Sequence, residues 1–146
     1  MRKLQNHIVG KQFFLATGLL MLLFIMSGCE TYVTPKKVER IIPKDNWRVT
    51  TFSFAGQDLS DEFEDIILVF GESGSITTFP TSSGETGVWS VSSDKKPTLL
   101  YISGFVVQPY FFLNDDWEVT ECSKTRIRLK SDNGSTSNSM TLVKVN

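Results

Sequence analysis

Two cysteines, one histidine and two groups of carboxylates are the side chains with which this 146-residue chain could do chemistry. The histidine, His7, lies in an N-terminal leader. Residues 29–146 therefore hold no imidazole, which excludes Ser-His-Asp and Cys-His nucleophilic catalysis in their usual forms. Histidine-ligated zinc is excluded with it, and Cys122 alone cannot build a thiolate zinc site. No phosphate-cradling glycine loop is present. Asp58, Asp61, Glu62, Glu64 and Asp65 lack the Asp-x-Asp-x-Asp-Gly spacing of a calcium loop. They read as the solvated end of a helical turn. Asp115, Asp116, Glu118 and Glu121 could serve a glycosidase only if two of them faced each other across a sugar-sized cleft. Surface charge beside a turn is the simpler reading. No catalytic residue, metal or cofactor is expected.

Cys29 stands in a different context. Arg2, Lys3, His7 and Lys11 precede an apolar run, FFLATGLLMLLFIM, from Phe13 to Met26. The run is shorter than the ~20 residues a membrane-spanning helix needs, and it fits the core of a secretory signal peptide. Met26-Ser27-Gly28-Cys29 follows and resembles the lipobox of bacterial lipoproteins, with Met26 where leucine is usual. The resemblance implies a signal peptide over residues 1–28, cleavage after Gly28, a diacylglyceryl thioether on Cys29, and a fatty acyl chain such as palmitate on the new amine. Two acyl signals give stable anchoring. An ordinary cleaved signal and an uncleaved anchor are the alternatives. A lipidated Cys29 cannot pair with Cys122, which is then a free thiol, read as a small, partly buried strand residue. Glu30-Thr31-Tyr32-Val33 lacks the acidic run often found after the cysteine of surface-exported lipoproteins. The expected location is the cell envelope, lipid-anchored, in the outer membrane facing the periplasm, with surface exposure left open.

The chain has 15 basic and 16 acidic residues, and the leader holds three of the basic and none of the acidic. The remainder carries 12 against 16, near −4, without the electrostatic footprint of a nucleic-acid binder. Residues 29–45, with Pro35 and Pro43 and mixed charges, read as a lipidated, extended tether, though Ile41 and Ile42 could pack on the domain surface.

From Asn46 onward the elements are short strands, expected over 47–54, 66–70, 76–79, 86–91, 99–102, 117–122, 126–130 and 140–145. The sixth could instead lie in Phe111-Phe112-Leu113. Trp47 and Val49 share one parity and Phe52 and Phe54 the other, so a bulge near Thr50-Thr51 is needed to bring both pairs inside. Trp117 to Cys122 alternates. Asn133-Gly134 signals a hairpin within a polar loop over 131–139, and residues 81–84 form another. One short helical turn is expected over 58–65, with Asp61 and Glu64 as a capping box and Leu59 and Phe63 against the sheet. The fold class is all-β: a small antiparallel up-and-down barrel of about eight strands over residues 46–146. Trp47, Phe52, Leu68, Phe70, Trp89, Trp117, Val119, Ile127 and Leu129 are expected inside.

The succession Trp47-x-Val49, Phe52, the Asp58/Asp61 turn, Gly74, Gly87-Val88-Trp89, Trp117-x-Val119, Ser123 to Leu129 and Leu142-x-Lys144 resembles the lipocalin-like lipoproteins of Bacteroidota. Lipocalins carry Gly-x-Trp on their first strand; Asp45-Asn46-Trp47 lacks that glycine. The resemblance implies a lipocalin-like barrel and a non-catalytic binding module, with a small apolar ligand in the barrel mouth. The alternative is a filled barrel that contacts other envelope proteins. Trp47, Trp89 and Trp117 could line the ligand site or fill the core, and Phe105, Tyr110, Phe111 and Phe112 could form a ligand or partner surface or a buried strand pair bent at Pro109. The expected partners are a membrane, through lipid on Cys29, and either an apolar ligand or an envelope protein.

Overall fold

Alternating apolar and polar residues close into a sheet when every strand finds two neighbours, and this chain reaches that state. A computed structural model describes residues 32–79, 84–93, 96–131 and 138–146. Cys29, the 81–83 loop and the Asn133-Gly134 hairpin lie outside the described residues. The strands are β1 (Asn46–Phe54), β2 (Gln57–Asp58), β3 (Ile67–Phe70), β4 (Ser75–Phe79), β5 (Thr86–Val91), β6 (Leu99–Ser103), β7 (Asp115–Cys122), β8 (Arg126–Ser131) and β9 (Ser139–Lys144). All pairings are antiparallel, and β1 pairs with both β3 and β9. Eight strands thus form a closed barrel, and the two-residue β2 only folds back on the end of β1. Among the described strands, closure leaves no unpaired edge along the ring.

Two bulges set which side chains face inward. In β1 the register shifts between Val49 and Thr51, so Trp47, Val49 and Phe52 are all buried despite their mixed parity. This is the bulge expected from the residue pattern. In β7 the register shifts between Val119 and Glu121, where plain alternation was expected. The shift puts Cys122 inside with Trp117 and Val119 and leaves Glu121 on the outer side, against Arg126.

The barrel is stoppered at both ends. At the end where β1 begins, helix α1 (Pro35–Ile41) and a single 3-10 turn (Ile42–Lys44) stand where an extended tether was expected. Val38, Ile41 and Ile42 recur at the spacing that gives a helix one apolar face, and Pro35 suits the first helical turn. Helix α1 contacts β5 and β7, and the turn contacts β3. Those strands lie on different sides of the ring, so the segment crosses the opening, and Val38, Ile41 and Ile42 join the barrel core. The Thr98 hydroxyl donates to the Val33 carbonyl at 2.6 Å, tying the start of the segment to the edge of β6. Residues from Tyr32 onward form one compact unit with its own core.

At the opposite end, the 3-10 turn Ser60–Phe63 presses Phe63 onto Phe52, with ring centroids 4.4 Å apart. The expected capping box is absent, since Leu59 occupies the N-cap and no side chain caps the turn. Instead the Asp58 carboxylate accepts the Ser60 N–H at 3.0 Å and the Ser60 hydroxyl. Residues 110–113 form a 3-10 turn, Tyr110–Leu113, rather than a strand, and bury Tyr110 and Leu113.

Candidate functional site

The three tryptophans share a local arrangement and differ in exposure. Trp47 and Trp117 are completely buried, at 0% exposure each, and belong to the core. A buried indole needs an acceptor for its N–H. Trp47 Nε1 donates to the Ile42 carbonyl at 2.8 Å, and Trp117 Nε1 to the Leu113 carbonyl at 2.9 Å. One tryptophan thus fastens the stopper at each end. Trp89 is only partly buried, edge-on to Phe70, and donates Nε1 to the Gly71 carbonyl at 2.9 Å.

Between the two stoppers the interior is filled with side chains. Phe52, Leu68, Phe70, Ile76, Leu100, Ile127, Leu129, Met140 and Leu142 are all within 2% of complete burial. The described clefts lie outside this core. One, about 540 Å³, is lined by α1, the turn after it, the β3–β4 turn and β5, with Trp89 on one wall. Another hollow at the same end is lined by Arg40, Ile41, Lys44, Asp45, Lys124 and Lys144.

The aromatic run after β6 divides in two. Phe105 and Tyr110 are buried, with ring centroids 6.2 Å apart. Gly87 makes room for Phe105. A Cβ there would stand 2.5 Å from the Ser103 carbonyl oxygen and 3.2 Å from the Phe105 ring. Phe112 is half-buried on Phe54, with ring centroids 4.9 Å apart. Phe111 is 52% exposed, beside Val106 at 78% and Val107 at 50% in the same connection. The Glu85 carboxylate accepts the N–H groups of both valines, at 3.0 and 3.1 Å, and so holds their loop against the start of β5. Phe79, at 39% exposure, ends β4 on the same rim. Of the four aromatics expected to form a ligand or partner surface, Phe111 is exposed and Phe112 partly so; Val106, Val107 and Phe79 add to the exposed rim.

The carboxylates of β7 do not converge on a cleft. Glu118 pairs with Lys130 at 3.0 Å, and Glu121 with Arg126 at 2.9 Å and Arg128 at 3.4 Å, all on the outer wall. Asp115 accepts from Asn138, which also receives the Ala55 N–H. Among the described residues, no three of His, Cys, Asp and Glu are grouped to hold a metal ion. Cys122 is buried, and that burial pushes its thiol pKa up; Lys37 pulls it down and Glu121 adds to the rise.

The residues that sequence reasoning missed are Val33, Val38 and the stopper role of Ile41 and Ile42. Their signal was present as apolar spacing behind Pro35, but the prolines and charges around it suggested a linker.

No family model matches the chain, and no curated protein matches it. Among solved structures it is similar to a DUF4847 family protein from Bacteroides vulgatus, at 12% identity and a TM-score of 0.51, over 75% of this chain and 99% of that one. It is also similar to a lipocalin-like protein from Bacteroides uniformis, at 13% identity and a TM-score of 0.48, over 70% of this chain and 98% of that one. At such identities the likeness to the Bacteroides vulgatus protein is one of fold alone, and that fold is the small closed barrel the sequence led us to expect.

Proposed function

We propose that this chain is a lipid-anchored protein of the cell envelope whose barrel is a non-catalytic interaction domain. The observation that carries the reading is the filled interior. The space a lipocalin gives to its ligand is taken here by Trp47, Trp117, Phe52 and Phe63, and both openings are stoppered. Eight strands leave room for side chains or for one small ligand, not both. The filled core favours the interaction reading over an apolar ligand held inside. The contact surface is the rim of Val106, Val107, Phe111 and Phe79, because solvent-exposed apolar side chains grouped at one place mark sites of association. Exposed carboxylates of Asp61, Glu62, Glu64, Asp65 and Asp116 lie at the same end of the barrel, so the partner presents apolar side chains flanked by cations. The anchor rests on Met26-Ser27-Gly28-Cys29, and the outer membrane, periplasmic face, is the proposed location.

A photo-crosslinking residue at Phe111, compared with one at Thr120 on the outer wall, tests the interaction in the source envelope. A discrete protein adduct from position 111 alone is expected. Equal adducts from both positions, or an apolar ligand retained by the purified protein in native mass spectrometry, would overturn the reading. The anchor is tested separately: Cys29→Ala should abolish incorporation of labelled palmitate, and unchanged labelling would refute lipidation.

A further inference from the structure

The net charge conceals a division between the two ends of the barrel. At the end crossed by α1, Lys36, Lys37, Arg40, Lys44, Lys96 and Lys124 are exposed and have no ion-pair partner among the described residues. Glu39 and Glu72 are the unpaired acids described there; Asp45 is engaged by Lys144 at 2.8 Å. The opposite end holds the exposed carboxylates of Asp58, Asp61, Glu62, Glu64, Asp65 and Asp116, and no cation among its described loop residues. A protein that is acidic overall thus has one basic pole.

The basic pole is also where the chain leads toward Cys29. The folded unit begins at Tyr32, so only Glu30 and Thr31 separate it from that cysteine. Three residue steps reach no more than roughly 10 Å. Had residues 30–45 been a tether, the domain could have stood far from the bilayer. With α1 folded into the barrel it cannot. We propose that the α1 pole is a membrane-apposed face that seats on anionic phospholipid headgroups, with Lys36, Lys37, Arg40 and Lys124 making the contact. This rests on the lipidation of Cys29. Lysine and arginine close to an anionic bilayer are each attracted to it, and the attraction fades within a Debye length. Apposition directs the acidic pole and its apolar rim away from the membrane, toward a partner.

The test uses the whole mature chain, residues 29–146, with Cys29→Ser, which lacks only the lipid. It is sedimented with vesicles of phosphatidylcholine alone or mixed with phosphatidylglycerol. Binding should be at least about tenfold stronger to the anionic vesicles at low salt and be lost near 0.5 M salt, roughly, where screening is nearly complete. Reversing Lys36, Arg40 and Lys124 to Glu should remove that preference. Reversing Arg48, Arg128 and Lys130 on the outer wall makes the same change in net charge and should alter binding by less than about threefold. Circular dichroism verifies that each variant is folded. Equal binding to both vesicle types, or equal losses in the two variants, would overturn the proposal. An acidic protein captured by the basic pole while vesicle binding is absent would reassign the face and overturn it too. Because the assay contains no lipidated cysteine, its failure is distinct from a failure of palmitate labelling.

Discussion

Ile42→Ala separates a stopper from a tether. Ile42 is 0% exposed, in the core with Trp47 and Leu68, and its carbonyl accepts the Trp47 indole N–H. Truncation to alanine removes three carbons from a closed space. Buried isoleucine-to-alanine changes destabilise by about 2–5 kcal/mol, the transfer loss plus the cavity left behind. Because the backbone carbonyl is retained, the Trp47 hydrogen bond can persist, so the effect reads packing alone. For a domain of this size each kcal/mol moves the midpoint by roughly 4 °C, so the expected fall in Tm is about 8–20 °C. A surface isoleucine on a linker would change stability by no more than ~0.5 kcal/mol. Urea unfolding of the mature Cys29→Ser chain, followed by circular dichroism, measures the difference directly. A change below ~0.5 kcal/mol with an unaltered m-value would refute the stopper and return residues 35–44 to a tether.

Trp117→Phe leaves the Leu113 carbonyl without its indole donor; the expected loss is about 1–3 kcal/mol, read in the same unfolding assay, and a neutral result would contradict the fastening role. Gly87→Ala places a methyl 2.5 Å from the Ser103 carbonyl oxygen and against the Phe105 ring, so it should destabilise by about 1–3 kcal/mol as overpacking does; wild-type stability in thermal melts would show that the β5–β6 contact yields freely. Cys122 should resist alkylation in the folded protein and react at once in denaturant, since its burial disfavours the thiolate. With its pKa raised on folding, its contribution to stability is intact below the unfolded thiol's pKa and is lost as pH rises from there through the folded value; Cys122→Ala should flatten that alkaline slope in pH-dependent unfolding. Asp58 titrates below its ordinary value because the Ser60 hydroxyl, and then the Ser60 N–H, hold its charged form; Ser60→Ala should move its NMR titration upward, and an unmoved curve would deny the hydroxyl's part.

The strands were legible because alternation is a local signal and the strand faces are sorted by burial. The β1 bulge could be deduced too, since Trp47, Val49 and Phe52 cannot all face inward without one. The β7 bulge could not. Its only mark is that Cys122 breaks the parity of Trp117 and Val119, and a cysteine is small enough to sit on either face. The α1 stopper was missed because its three apolar residues are spread over two turns and broken by Lys36, Lys37, Glu39 and Arg40. A helix this short has little stability of its own; it forms because the barrel opening gives Val38, Ile41 and Ile42 a place to be buried. The division of Trp47 and Trp117 from Trp89 was not readable either. All three sit on inward-facing parities, and Trp89 differs in lining the cleft beside α1 instead of being enclosed by the core.

The charge division follows from topology as much as from composition. In an up-and-down barrel, consecutive connections alternate between the two ends. Among the described residues, 55–66, 84–85, 104–114 and 138 lie at one end, and 71–74, 92–93, 96–98 and 123–125 at the other. Acids drawn into the first set and cations into the second and into α1 become a dipole along the barrel axis, although the two kinds alternate along the strands. On the strands themselves, opposite charges meet across β7 and β8 and neutralise each other locally, as Glu118 does with Lys130 and Glu121 with Arg126. Exposed pairs of this kind add little stability. Their consequence is that the wall carries little uncompensated charge, so the field of the molecule is set at its ends. On the proposed reading, the filled core and the paired wall leave recognition to the two ends. The poles remain, and the one from which the chain leads to Cys29 is the one where Lys36, Lys37, Arg40, Lys44 and Lys124 have no ion-pair partner among the described residues.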